Sequence, residues 1–270
     1  MALLPRCLAV VAALTPAVGF AGNLNTTPTD AAPVFQAAPV ATPDLIFTLR
    51  GGVSVNPDYF GSGDYSVGPD FGFKMNFLRL PGGRTFGSMD PNNPNYGFGV
   101  SGSFRYIGDR KAADHVELTG LPDVDAAVEL GLGLNYTSRN FDAFADLRYG
   151  VVGHESFVGE LGADVKFQAS DRLTLSAGPR MFIGSDKYAE TYFSTVAPYA
   201  GGAYAASGGL LSAGVELGAQ YQINDDWGVE GAVTWNRLLN SAADSPITRA
   251  GDEDQYGVRI GLTRRITLDF

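Results

Sequence analysis

"RIGLTRRITLDF", residues 259–270, closes the chain, and its two faces decide how the rest is read. With the residues just before it, Tyr256, Val258, Ile260, Leu262, Ile266, Leu268 and Phe270 share one parity. Gly257, Arg259, Gly261, Thr263, Arg265, Thr267 and Asp269 share the other. Successive side chains of a strand point to opposite faces, so this is a strand with one apolar and one polar face.

The same alternation runs back through the chain. Leu45, Phe47, Leu49, Val53 and Val55 oppose Thr48, Arg50, Gly52 and Ser54, and Phe71, Phe73, Met75 and Phe77 oppose Asp70, Gly72, Lys74 and Asn76. Tyr96, Phe98, Val100, Phe104 and Tyr106 oppose a face that ends in Arg105. Val124 to Tyr136 sets Leu130, Leu132 and Leu134 against Asp125 and Glu129, and Phe141 to Val151 sets Leu147 and Tyr149 against Asp142, Asp146 and Arg148. Later segments carry Glu160, Asp164 and Lys166, then Arg180, then Glu216, then Glu230 on their polar faces, opposite Leu161, Met181, Leu211 and Val233. The count is about ten strands, bounded by eight and twelve. The connections "TSRN", "ASDR" and "NDDW" are short and polar, whereas residues 56–68, 107–122, 184–209 and 240–254 are long.

The opening residues, "MALLPRCLAVVAALTPAVGFAG", have the form of a secretory signal peptide: Arg6, an apolar run from Leu8 to Val18, and small residues that place cleavage after Ala21. Residues 22–43, rich in Ala, Pro and Thr, read as a disordered lead, which leaves 44–270 as the folded domain. Cys7 lies within the signal, so the mature chain relies on no disulfide. Losing Arg6 moves the formal net charge of −10 one unit further negative, against a nucleic-acid surface. No later stretch reaches the roughly 20 apolar residues of a spanning helix. A secreted, acidic chain with 35 Gly, 17 Phe and 12 Tyr, built of two-faced strands, is expected to form an antiparallel transmembrane β-barrel in the cell outer membrane. Its long loops face outside and its short turns face the periplasm. A secreted Gly-rich β-sandwich shares the alternation, but not the asymmetry of loops or the terminal aromatic residue.

In this barrel the apolar parity meets lipid and the polar parity meets the lumen. Asp70, Lys74, Arg105, Glu129, Asp142, Asp146, Arg148, Glu160, Asp164, Lys166, Arg180, Glu216, Glu230, Arg259 and Arg265 are then lumen-facing. Tyr106, Tyr136, Phe141, Tyr149, Phe167, Tyr221 and Trp227 stand where interfacial girdles form. Two features strain this map. The link from Arg79 to Asn95, with Pro81, Pro91 and Pro94, is long for a periplasmic turn. Arg264 falls on the lipid parity, where a mid-membrane charge costs about 2–4 kcal/mol; a bulge near Thr263 or a position at the rim would relieve it.

Several stretches carry a resemblance: "GGVSVNPDYFGS" at 51–62, "FRYIGDR" at 104–110, "LTGLPDVDAAVELGLG" at 118–133, "SDKYAETYF" at 185–193, "ASGGL" at 206–210 and "NSAADSPI" at 240–247. In this order they resemble the MipA/OmpV family. The residues that carry the likeness are Pro57, Tyr59, Gly61, Gly108, Arg110, Gly120, Leu121, Asp123, Asp125, Glu129, Tyr188, Ser245 and Pro246. The chain departs from the family's pattern at "FIGSD", where the family often has an aromatic residue closer to Tyr188, and at Ser194, where a Gly is common. The family implies an outer-membrane scaffold linking a murein hydrolase to a murein synthase, although other members are associated with adhesion, permeability and antigenicity. Phe270 is similar to the C-terminal signal read by the barrel assembly machinery. Lipid and lipopolysaccharide are the implied surroundings.

Catalysis finds little support. His115 and His154 are the available imidazoles, and "GHES" at 153–156 reads as a solvated turn. Asp123 with Asp125, and Asp252, Glu253 and Asp254, offer oxygen ligands but lack the spacing of a calcium loop. "GLGLNY" lacks a phosphate-loop lysine. No cofactor is expected. A barrel of ten strands has an interior that side chains nearly fill, short of the roughly 16 to 18 strands of a wide porin. Charges of both signs would pair across it, which favours a filled barrel over its alternative, a narrow channel for small solutes.

Overall fold

A computed structural model describes residues 43–89 and 96–269. The signal segment 1–21, all but Pro43 of the lead, and Phe270 lie outside them, as do residues 90–95 of the Arg79–Asn95 link. Eleven strands follow in order: β1 (Leu45–Pro57), β2 (Tyr65–Arg79), β3 (Thr85–Gly87), β4 (Gly97–Ile107), β5 (Ala127–Thr137), β6 (Phe141–Val152), β7 (Phe157–Gln168), β8 (Leu173–Gly184), β9 (Gly209–Gln222), β10 (Trp227–Leu238) and β11 (Asp254–Leu268). Ten are full-length, and the eleventh, β3, is a three-residue strand in the very link that was too long for a turn.

All neighbours pair antiparallel in one sheet of order β3-β2-β1-β11-β10-β9-β8-β7-β6-β5-β4. The last strand zips onto the first, from Leu45 opposite Leu268 to Val55 opposite Val258. That pairing is the structural purpose of the closing sequence: it joins the two ends of the sheet's chain. The ladder runs round to β4, where β2 and β4 lie alongside one another in a nearly closed barrel.

The short turns are set by side chains that mimic backbone turns. Asn224 Oδ1 accepts from the amides of Asp226 and Trp227 at 3.0 and 2.9 Å, and Ser170 Oγ accepts from Leu173 N at 3.1 Å. Outward residues such as Phe73, Val100, Leu132, Leu147, Val165 and Leu217 are exposed to the surroundings all round the wall. An apolar belt this continuous needs lipid, not water, around it. Exposed Phe98, Tyr136, Phe141, Phe167, Tyr221 and Trp227 ring the short-turn end, and Tyr65, Tyr106, Tyr149, Phe157, Trp235 and Tyr256 ring the long-loop end.

Bulges break strict alternation in three strand pairs; one, between Val128 and Glu129, leaves Val151 and Val152 both exposed. The register shift between Ile46 and Phe47 turns Phe77 inward, where it is buried opposite Ile46 rather than joining Phe71 and Phe73 outside. The shift between Phe182 and Ile183 does the same to Leu211. A one-residue slip exchanges the faces of a strand.

Arg264 is resolved without a bulge, for β11 runs in continuous register past Thr263. It pairs with Trp227, the first residue of β10, and its guanidinium sits 5.0 Å from the Trp227 ring centroid. The side chain is therefore at the rim, held over an aromatic face. Depth should govern cost: Ile260→Arg, near the middle of β11, is expected to destabilise the barrel by about 2–4 kcal/mol, whereas Arg264→Leu should be near neutral. Urea unfolding in lipid vesicles measures both.

Candidate functional site

The polar parity folds into a charged interior. Arg50 bonds Asp70 at 2.7 Å and Glu230 at 2.6 Å; Arg259 bonds Glu216 at 2.7 Å and lies 3.9 Å from Glu230; Arg180 bonds Asp164 at 3.0 Å and Glu216 at 3.1 Å. The result is a continuous chain of alternating charge across seven strands, from Asp70 on β2 to Asp164 on β7. A second cluster centres on Arg148, which reaches Glu160 at 2.7 Å, Glu129 at 2.9 Å and Asp146 at 3.4 Å. Lys166 pairs with Asp142 at 2.8 Å. Lys74 shares the parity but is exposed, and Arg265 turns to the Met89 carbonyl.

The long connections are packed rather than loose. The β8–β9 connection forms α1 (Asp186–Phe193), and the β10–β11 connection forms α2 (Asn240–Ala243) and α3 (Pro246–Ala250). Ser185 caps α1 by accepting from Tyr188 N. Tyr188, Tyr192, Phe193, Leu211, Leu238 and Ala242 form one buried cluster, and Tyr59, Leu118, Leu121, Tyr199 and Ile247 a second. Together they make a cap over the long-loop end.

The residues of the family likeness mostly build this cap. Gly61 has φ +91°, and a Cβ there would lie 2.8 Å from Thr248 Oγ1, so only glycine suits it. Its amide donates to Gln255 Oε1 at 3.0 Å. Buried Arg110 donates to the Tyr192 carbonyl at 3.0 Å, Asp123 accepts from Ala112 N at 2.8 Å, and Ser245 donates to the Phe193 carbonyl at 2.6 Å. Pro246 sits in the first turn of α3, where its missing N–H costs nothing. Gly120 turns against Tyr199, and Pro57 ends β1 opposite Tyr65. Asp125 is exposed, and no contact among the described residues explains it.

Burial pushes the Tyr188 hydroxyl well above its ordinary value, with the Arg105 guanidinium acting against it; burial also raises Tyr192 to about 12. Both stay neutral at physiological pH. Glu117 is held below the usual carboxylate range by backbone hydrogen bonding and by Tyr59, whose hydroxyl donates at 2.8 Å, with His115 nearby.

"GHES" is not a solvated turn. His154 and Ser156 are buried, with His154 Nδ1 2.8 Å from Ser156 Oγ and Nε2 3.2 Å from Glu129 Oε1. Gly150 faces Glu129 in register, and its missing side chain leaves room for the imidazole: a Cβ there would lie 2.4 Å from the ring. The order serine, histidine, carboxylate is that of an acyl-transfer relay. Here, however, Tyr188 and Tyr192 pack edge-on to the ring at 5.0 and 6.0 Å, and none of the three residues lines either of the two lumen cavities. Among the described residues no three His, Cys, Asp or Glu side chains converge to hold a metal. Asp254 instead accepts from Trp235 Nε1 and Arg237, each at 2.9 Å.

With this geometry in view, the sequence matches the family described as "MltA-interacting protein MipA" over residues 49–266. The chain belongs to the MipA family. No curated protein matches it. Solved structures similar to this MipA-family barrel include the outer-membrane protein OprG from Pseudomonas aeruginosa, at 12% identity, with 84% of this chain and 98% of that one covered and a TM-score of 0.28. The CymD monoaromatic hydrocarbon channel follows at 10%, 85%, 90% and 0.33. The attachment invasion locus protein Ail of Yersinia pestis follows at 10%, 83%, 99% and 0.27. Family, barrel and lipid-facing belt make this MipA-family member an outer-membrane protein.

Two variants test the site's energetics. Arg148→Met should cost about 3 kcal/mol, because it strands buried Glu129, and adding Glu129→Gln should recover part of that loss in a double-mutant cycle. A folded carboxyl with a depressed pKa stabilises the protein above its unfolded value, ordinarily about 4.3, and that contribution disappears as pH falls through the folded value. Glu117→Gln should therefore lower the cap's protection from proteolysis at neutral pH towards the wild type's value in acid, and flatten its fall on the acid side.

Proposed function

We propose that this barrel is a non-enzymatic, non-conducting scaffold of the outer membrane whose periplasmic rim engages murein-remodelling enzymes. The carrying observation is the charge chain from Asp70 through Arg50, Glu230, Arg259, Glu216 and Arg180 to Asp164, beneath a packed cap. An ion crossing the lumen would have to part pairs held in a partly dry interior, where charge separation costs far more than in water. The family's description, an MltA-interacting protein, supports a partner among murein enzymes. The sealed setting of Ser156 and His154 supports the absence of catalysis.

At the periplasmic rim, Arg79 is tied to Asp44 at 2.7 Å, whereas Arg84 is exposed and suits contact with a partner. In planar bilayers the purified protein should give no stable conductance, and immobilised barrel should retain a murein hydrolase and a murein synthase from a detergent extract. Arg84→Glu should weaken that capture and leave folding intact. Reproducible conductance that shifts on replacing Glu230 or Arg259, with no murein enzyme retained, would replace the scaffold with a narrow solute channel.

A further inference from the structure

Beneath the cap the lumen is not completely filled. One cavity of about 320 Å³ lies among Arg50, Arg148 and Arg259, and a second of about 440 Å³ lies among Phe60, Arg180, Tyr188 and Tyr192. Asn56, Arg105, Glu160, Thr234 and Gly257 line both, so they are two parts of one chamber. Its size falls within the usual range for small-molecule sites.

The hydrogen-bonding of the walls is unbalanced towards donors, although one acceptor, Asp58 Oδ1, is also buried there without a partner. Arg50, Arg148, Arg180 and Arg259 each hold a carboxylate within 3.1 Å. Arg105 does not: its Nη1 is buried without a hydrogen-bond partner, and the Glu129 oxygen beside it is 3.8 Å away, beyond bonding distance. The Arg259 Nε and the Tyr192 hydroxyl are also buried without partners. Orphaned donors of this kind are costly unless something accepts from them. The guanidinium of Arg105 also has aromatic neighbours, with the Phe182 and Phe60 ring centroids at 4.7 and 5.5 Å. An arginine with no carboxylate at hydrogen-bond distance, donors in excess and an aromatic wall describe a particular partner.

We propose that this chamber binds a small organic monoanion, a carboxylate with an aromatic or apolar body, anchored on Arg105 and the Tyr192 hydroxyl. A planar guanidinium matches a carboxylate with two parallel bonds, and the rings of Phe60 and Phe182 take the apolar end. A dianion such as phosphate is disfavoured because Glu160 and Glu216 face the same space. The chamber does not depend on the scaffold role, since binding is measured on the barrel alone and a failure to capture murein enzymes leaves it standing.

Benzoate titrated into purified, folded barrel should bind saturably by calorimetry and broaden the 19F signal of 4-fluorobenzoate, whereas benzylamine and inorganic phosphate should not compete. Arg105→Gln should weaken benzoate at least about tenfold, the scale of a lost charge-assisted pair. Tyr192→Phe, which removes a hydroxyl with no protein partner and so spares the fold, should weaken it about threefold to tenfold. Should Arg105→Gln fail to assemble, Arg105→Lys keeps the charge, loses the fork and should still bind more weakly. No saturable benzoate binding, equal binding of benzylamine, or undiminished affinity in Tyr192→Phe together with the folded Arg105 variant would overturn the proposal.

Discussion

Glu129 is the point at which the wall of the barrel and its cap are joined, and the geometry around it constrains both. Its carboxylate is wholly buried, takes Arg148 Nε at 2.9 Å from the neighbouring strand and lies 3.2 Å from His154 Nε2 in the turn above. An isolated carboxylate there would be prohibitively costly, so the partners must be held in place. Arg148 in turn spans to Asp146 and Glu160, which fixes β5, β6 and β7 relative to one another. His154 packs against Tyr188 and Tyr192 of α1. A single buried charge thus sets where the helix of the cap must rest.

The same logic gives the interior its balance. Lipid on the outside forces every charged side chain of the wall inward, apart from those at the rim such as Arg264, so a ten-strand wall collects more charge than it can hydrate. Pairing in chains shared between acids and bases is the available answer, and Glu216, between Arg180 and Arg259, shows it at its most economical. Arg105 is the exception because its nearest acid, Glu129, is already committed to Arg148 and His154. The unfilled chamber lies where the pairing runs short.

Much of this was legible in the sequence because period-two alternation is a strong signal when it repeats ten times. The terminal strand, the lumen parity of Arg148 or Arg259, and the short turns at Ser138, Ser170 and Asn224 follow from local rules. The inward turn of Phe77 and of Leu211 does not, since a bulge is decided by the partner strand. β3 was hidden by its length: three residues carry no periodicity. The burial of His154 is hidden because "GHES" looks like a polar turn in one dimension. The space that receives it is made by Gly150, and the acid that holds it is 25 residues away.

The cap changes what the family likeness means. Tyr59, Gly61, Arg110, Leu121, Tyr188, Ser245 and Pro246 are structural members of the long-loop end, the end that the sequence reading puts on the far side of the membrane from the murein layer. A motif placed there specifies how the cap folds over the lumen, and cannot itself touch a periplasmic enzyme. On the proposed scaffold reading, contact with murein machinery falls to the opposite rim, where the turns at 138–140, 169–172 and 223–226 are short and the link that contains Arg84 is the largest feature. Membership of the family and choice of periplasmic partner are thus, on that proposed reading, written in different parts of the chain. Two members that share every cap residue are free to differ in what their rims engage.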